Sequence, residues 1–266
     1  MKRFLKGLRL YFLSFKLRFS ENVAYRSYLL SHSLAMLAHA FFRVTIVLIA
    51  DNLGQGIPGW NTYQLVLLAG IHQVYVSLLF LFIYRQMMLL IRNINLGQLE
   101  HDLVKPIDSQ LAIALKGGNL NNVFGVILGV IIIAFSLIKL NTIPLPTALL
   151  AAVVFLFFGL LTVYCFMFLG SIMNFWFQRV ENAREFGAKV VANFNRFPAD
   201  AYHQAGTVIY FLSLPLTLTT TIPTQALLGK FNLSWIIILV FSSLSLFFLS
   251  RQLWHFALKH YTSASS

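Results

Sequence analysis

The stretch LEHDLVKPIDSQL, residues 99–111, carries Glu100, Asp102, Lys105 and Asp108 between long runs of Leu, Ile, Val and Phe. A chain that only had to leave a bilayer and return would need a short polar turn there. The runs on either side decide the fold. Of 266 residues, 58% are hydrophobic and 11% charged, and the mean hydropathy is +0.76; a soluble domain carries about 25% charged residues. Apolar runs of about 18 residues or more cross a hydrocarbon core as helices, and this sequence holds several. It reads as an all-α integral membrane protein.

Working outward from 99–111, the apolar runs give six spans, at 27–50, 62–88, 120–139, 147–175, 203–222 and 233–255. DNLGQGIPGW (51–60) and NTIPLP (141–146) are Gly- or Pro-rich turns between them. Basic residues decide the orientation. With the N-terminus inside, seventeen of the twenty Lys and Arg fall on one side, which predicts both termini in the cytoplasm. Only Lys139 and Lys230 lie outside, and Arg43 lies within a span. The net charge of +12 therefore reads as topology rather than as a nucleic-acid surface. Both 99–111 and QRVENAREFGAKVVANFNRFPAD (178–200) are predicted to face the cytoplasm.

Residues 1–26 interleave seven cations with Phe4, Leu5, Leu8, Phe12, Phe15 and Phe19 at helical spacing. This suits an uncleaved amphipathic helix in the headgroup layer of anionic lipid. The expected organisation is an interfacial helix at 1–26, a six-span domain at 27–256 and a cytoplasmic tail at 257–266.

Several chemistries drop out. GQGIPG (54–59) matches a dinucleotide fingerprint, but it follows a span and Pro58 interrupts it, so it is a turn. There is no P-loop motif, and the seven histidines lack the i, i+3 or i, i+4 pairing of metal ligands. No Asp or Glu lies inside a span, Asp51 being at a rim. That argues against an ion-coupled carrier, whose coupling site is an intramembrane ionisable group. Cys165 stands alone, so there is no disulfide framework.

Three features remain as candidates. His32, Met36, His39 and Arg43 share one helical face; His32, His39 and Arg43 either line a pathway or contact another subunit, or Arg43 simply snorkels to water. In SLPLTLTTTIPTQALLGK, Pro215 and Pro223 interrupt the helical ladder and threonines can satisfy the freed carbonyls, which suggests a broken or re-entrant segment. In the opening stretch, Leu99, Leu103, Ile107 and Leu111 repeat every four residues, with Lys105-Pro106 preventing one long helix. The product is a short amphipathic docking element against the inner membrane surface.

LGQLEHDLVKPID (96–108) resembles the G-x-L-x-x-x-L-x-[KR]-P-[IL] stretch of ABC-2 type permeases. RFPADAYH (196–203) and LPLTLTTTIPTQALLGK (214–230), which closes on P-x-x-x-L-L-G, are similar to later parts of the same family. The resemblance spans essentially the whole chain. It implies a permease subunit of an ATP-driven exporter in a bacterial inner membrane, paired with a second six-span permease over two separate ATP-binding subunits. ATP and Mg would be held by those subunits, and this chain would be no enzyme and hold no cofactor or metal.

The resemblance assigns ATPase coupling to Gly97, Leu99, Glu100, Asp102, Leu103, Lys105 and Pro106. A second cytoplasmic contact would be Arg179, Glu181, Arg184 and Glu185. Pro215, Pro223, Leu227, Leu228 and Gly229 would form a re-entrant outer gate. One departure is the acidic balance of the coupling stretch. The competing reading is a scaffold or a lipid-acting membrane enzyme built on His101, Asp102 and Asp108, for which no nucleophile is evident. A channel ranks third, since no charged ring or filter repeat is present.

Overall fold

A computed structural model describes residues 26–52, 57–104, 108–114, 120–176, 196–202 and 207–259. Among them every regular element is helical. In chain order these are α1 (Arg26–Asn52), α2 (Thr62–Leu79), a π-helical turn (Phe80–Tyr84) and α3 (Arg85–Asn95). The short helices α4 (Glu100–Leu103) and α5 (Ser109–Ala114) follow, then α6 (Val123–Lys139) and α7 (Pro146–Ile172). A single turn, α8 (Ala199–Tyr202), precedes α9 (Thr207–Leu227) and α10 (Leu233–Lys259).

Among the described residues, four helices are long and apolar enough to cross a membrane: Leu30–Ile49, Thr62–Asn95, Pro146–Phe175 and Leu233–Lys259. α6 is shorter, 17 residues or about 25 Å at 1.5 Å per residue. The 3₁₀ turn Leu120–Asn122 in front of it brings the rod to roughly 31 Å. Of the expected interfacial helix, all but Arg26 falls outside the described residues.

The second span runs past its expected end at 88 because its polar tail keeps a buried face. Met87, Leu90, Ile91 and Ile94 are buried while Arg92 is exposed. α2 itself is the axis of the bundle: residues 66–75 are buried without a break, as in a helix enclosed on all sides. Its start is set by Asn61, whose Oδ1 accepts from the Tyr63 N–H at 3.1 Å while Gln64 Oε1 accepts from the Asn61 N–H at 3.2 Å. Asn61 thus satisfies donors that a helix start leaves open.

Small residues allow α2 and α6 to touch. Gly125 and Gly129 form a G-x-x-x-G pair on α6, the spacing that lets backbones approach in lipid. A Cβ on Gly129 would sit 2.6 Å from Val74 Cγ2, 2.8 Å from the Val74 nitrogen and 3.0 Å from the Gly70 carbonyl oxygen. α7 meets α9 the same way, with Gly159 against the backbone of Thr219.

α9 departs from expectation. In place of a broken or re-entrant segment there is one helix of 21 residues with Pro215 and Pro223 inside it. The threonines do not patch the gaps that prolines leave. Their hydroxyls donate to the carbonyls of Leu214, Leu216, Thr217 and Thr220, whereas proline at 215 and 223 releases the carbonyls four residues back, at 211 and 219. The bonds serve to bury five hydroxyls, at 217, 219, 220, 221 and 224, all fully shielded, without stranding a polar group. The helix packs against α7, α2 and α10 and continues unbroken through both prolines.

Candidate functional site

Gly97 opens the site. At φ +64° it takes the left-handed conformation that glycine adopts without a Cβ clash. Its N–H bonds to the Ile94 carbonyl at 3.1 Å, and the Gln98 N–H bonds to that of Asn93 at 2.8 Å, the paired closure of a Schellman motif. The chain therefore reverses at once. Leu99 falls back into the core, fully buried in one cluster with Met87, Leu90, Ile94, Ile113, Phe168 and Trp254. Burying such a side chain contributes roughly 2 kcal/mol. Glu100, the next residue, is exposed, and Leu103 is half-buried against the same cluster. Asp102 lies in the same single turn.

The element is then clamped to the last helix at three consecutive residues. Arg251 Nη2 donates to Asp108 Oδ2 at 2.6 Å, Trp254 Nε1 to Ser109 Oγ at 2.9 Å, and Gln110 Nε2 to Ser250 Oγ at 3.2 Å. Asp108 Oδ1 also accepts the Leu111 N–H at 3.1 Å, starting α5. Trp254 is fully buried, with ring centroids 5.3 Å from Phe168 and 6.0 Å from Phe175. One face of the 99–111 element is thus tied to α7 and α10, while Glu100 points to solvent.

The hydrogen bond from Arg251 lowers the Asp108 pKa; partial burial opposes this, and the Leu111 N–H with the charges of Arg251 and His255 adds to the lowering. A carboxyl held lower in the folded than in the unfolded state stabilises fully above its ordinary pKa, about 3.9. That contribution is lost as pH falls through the lowered value. The clamp is expected to persist from neutral pH to about pH 4 and to open only below it. A carbon-13 titration of the Asp108 carboxyl checks this, and a midpoint above the ordinary carboxylate value would contradict it.

The polar face of α1 also finds partners. Arg43 Nη1 donates to His72 Nδ1, which places the His72 proton on Nε2. His32 Nε2 lies 3.3 Å from Asn122 Oδ1, and Gln73 reaches Met36 Sδ and Ser77 Oγ. His39 points away and is exposed. His32, Met36 and Arg43 therefore form a seam between α1, α2 and the start of α6, and Arg43 has turned inward to His72, a buried partner on α2.

At the opposite end of the bundle, Leu227, Leu228 and Gly229 close α9. Gly229 at φ +68° repeats the Gly97 geometry, its N–H bonding to the Ala226 carbonyl and that of Lys230 to Gln225. Asp200 was expected at the same end as 99–111; instead Trp60 Nε1 donates to its Oδ2 at 2.9 Å, and the Ala199 N–H bonds Thr221 Oγ1 at 3.1 Å. The charge rule assigns whole intervals of sequence to a side. It does not register that Pro198 and Ala199, small and buried, let the chain fold back along α9.

Lys105, Pro106, Arg179, Glu181, Arg184 and Glu185 lie outside the described residues. Of the charged trio that a lipid-acting enzyme would need, Asp108 is committed to Arg251 and to the Leu111 N–H. Sequence reasoning missed Ser250, Arg251, Trp254, His72 and Trp60. For Arg251 a signal existed, since it is the lone cation interrupting the last apolar run.

Comparison with known proteins finds one family model, described as ABC-2 family transporter protein, matching residues 34–265. No curated protein and no solved structure matches the chain.

Proposed function

The chain belongs to the ABC-2 family of transporter proteins, and from that premise we propose that it is the permease subunit of an ATP-driven exporter. In this reading six helices span a plasma membrane of the bacterial inner-membrane type with both termini inside: α1, α2 with α3, α6, α7, α9 and α10. A second six-span permease, identical or related, completes the pathway. Two separate ATP-binding subunits, which hold ATP and Mg, sit beneath the 97–111 element.

One observation carries the proposal: an amphipathic element anchored by Leu99 in the core and by Asp108 on Arg251, with Glu100 exposed. An element that only capped a loop would not need three side-chain ties to the last helix. Motion of a docked ATPase passes through those ties into α10 and through the packing of Leu99 into α7, and packed helices then switch between discrete arrangements. The end of α9, with Pro223, Leu227, Leu228 and Gly229, serves as the outer gate, as a continuous helix whose terminal turn moves. Pro215 lies deeper in the same helix.

The test is a mild-detergent pull-down of the tagged chain from its native membranes. A stoichiometric ATP-binding subunit in the eluate is the expected result, and a second six-span protein would identify a mixed pair. Recovery of the chain with no ATP-binding protein would overturn the reading.

A further inference from the structure

Three loops meet at the end of the bundle remote from α4 and α5. They border a half-open cleft of about 310 Å³ lined by Trp60, Gln64, Asp200, Gln225, Leu228 and Lys230, within the size range of small-ligand sites. Each loop is held in place. The Ile57–Trp60 turn is closed by the Trp60 N–H on the Ile57 carbonyl at 3.0 Å, with Gly59 at φ +82°. Asp200 is tied to Trp60, and Lys230 follows the Gly229 closure of α9. A cleft bounded by fixed backbone presents its side chains at set positions.

Its charges are unusual for a chain with eight acidic residues. One carboxylate and one ammonium line the same small space without pairing with each other: the described ion pair is Asp108 with Arg251. Asp200 spends one oxygen on the Trp60 indole, and the Lys230 ammonium has no hydrogen bond or ion pair among the described residues. Both side chains are exposed to water; a simple anion pairs with Lys230 but is repelled by Asp200, and a simple cation meets the reverse. A molecule carrying both charges a few bonds apart answers both. The indole and the two amides add an apolar wall and further hydrogen-bonding groups.

We propose that this cleft binds a zwitterion of the ethanolamine-phosphate type, with its ammonium on Asp200 and its phosphate on Lys230. That chemistry comes either as a lipid headgroup or as a free zwitterion. Its place at the outer leaflet rests on the topology proposed above; the binding itself does not.

The test uses the full chain in phosphatidylglycerol nanodiscs, titrated with labelled glycerophosphoethanolamine. Saturable binding is expected, weakened about tenfold by either D200N or K230Q, the size of one lost charge-assisted contact. Glycerol phosphate, lacking the ammonium, is expected to compete poorly. Both substitutions fall on exposed side chains, and unchanged helical content confirms that the variants fold. No saturable binding, equal binding by the variants, or full competition by glycerol phosphate would each overturn the proposal. In nanodiscs that also contain phosphatidylethanolamine, native mass spectrometry separates the sources. Retained phosphatidylethanolamine that both variants lose assigns the site to a headgroup, and binding of the soluble probe without such retention assigns it to a free zwitterion. No ATP-binding subunit enters the measurement, so its failure leaves the transport reading standing, and failure of the pull-down leaves this result standing.

Discussion

Replacing Gly129 with leucine is expected to leave almost no correctly packed protein. The first added carbon would lie 2.8 Å from the Val74 backbone nitrogen and 3.0 Å from the Gly70 carbonyl oxygen. Neither can rotate away as a flexible side chain would. The helices would have to separate, and α2 cannot retreat, because it is enclosed along residues 66–75. Overpacking by a methylene costs about 1–3 kcal/mol; leucine adds four carbons at a backbone-to-backbone crossing, and the whole stability of a domain is about 5–15 kcal/mol. Size-exclusion profiles and thermal unfolding of purified protein check this. Gly129→Ala should fold with a lowered midpoint. Gly170 is the control: a Cβ there meets nothing within 4 Å, so Gly170→Ala is expected to be neutral or slightly stabilising, by up to about 1 kcal/mol. Leucine at 129 giving wild-type stability would show that the α2–α6 crossing is not the close one described.

The second large effect is on transport with the fold intact. Reversing Glu100 and Asp102 together to lysine is expected to abolish transport and to remove the ATP-binding subunit from the pull-down. Glu100 is exposed while its neighbour Leu99 is fully buried, so the anchor is untouched. Surface charges far from a partner change stability by a few tenths of a kcal/mol. Like charges forced together across an interface cost several kcal/mol and suppress the encounter itself. Leu99→Ala provides the contrast, since it leaves a void in the core and should lower the unfolding temperature, at a cost of about 2–5 kcal/mol. Transport and insertion assays on the same membranes separate the two outcomes. Normal transport by the double reversal would remove the coupling role from this element.

Much of the architecture was legible from the sequence, for reasons that differ by residue. Long apolar runs betray membrane helices because the hydrocarbon core demands a minimum length. The apolar face of the 99–111 stretch was readable because Leu99 and Leu103 repeat four residues apart, and both are buried or half-buried; the left-handed turn at Gly97 was not, since the second span was expected to end at 88. The clamp was not legible. Asp108 and Arg251 are 143 residues apart, and a charge in an apolar run does not name its partner. The α9 segment was misread for a related cause. Proline and threonine signal a weakened ladder, but whether the helix breaks depends on what surrounds it, and burial by three neighbouring helices is a tertiary fact. Asp200 escaped because the side to which a short segment belongs is decided by buried contacts such as Ala199 with Thr221.

The π-helical turn at Phe80–Tyr84 has a bearing on how the two ends of the bundle are set against each other. Such a turn accommodates one residue more than the α-helix on either side, and one residue is about 100° of azimuth. Everything after Tyr84, from Met87 to Leu99, is therefore phased about a quarter-turn away from the heading that α2 alone would give it. The buried face of α3 meets Phe168 and Trp254 only with that offset included. The turn works as a vernier: a regular α-helical ladder that kept every residue would swing Leu99 about 100° away from Phe168 and Trp254, whereas deleting one residue between 80 and 84 would remove the extra residue and the wide turn together and leave Leu99 on its present heading.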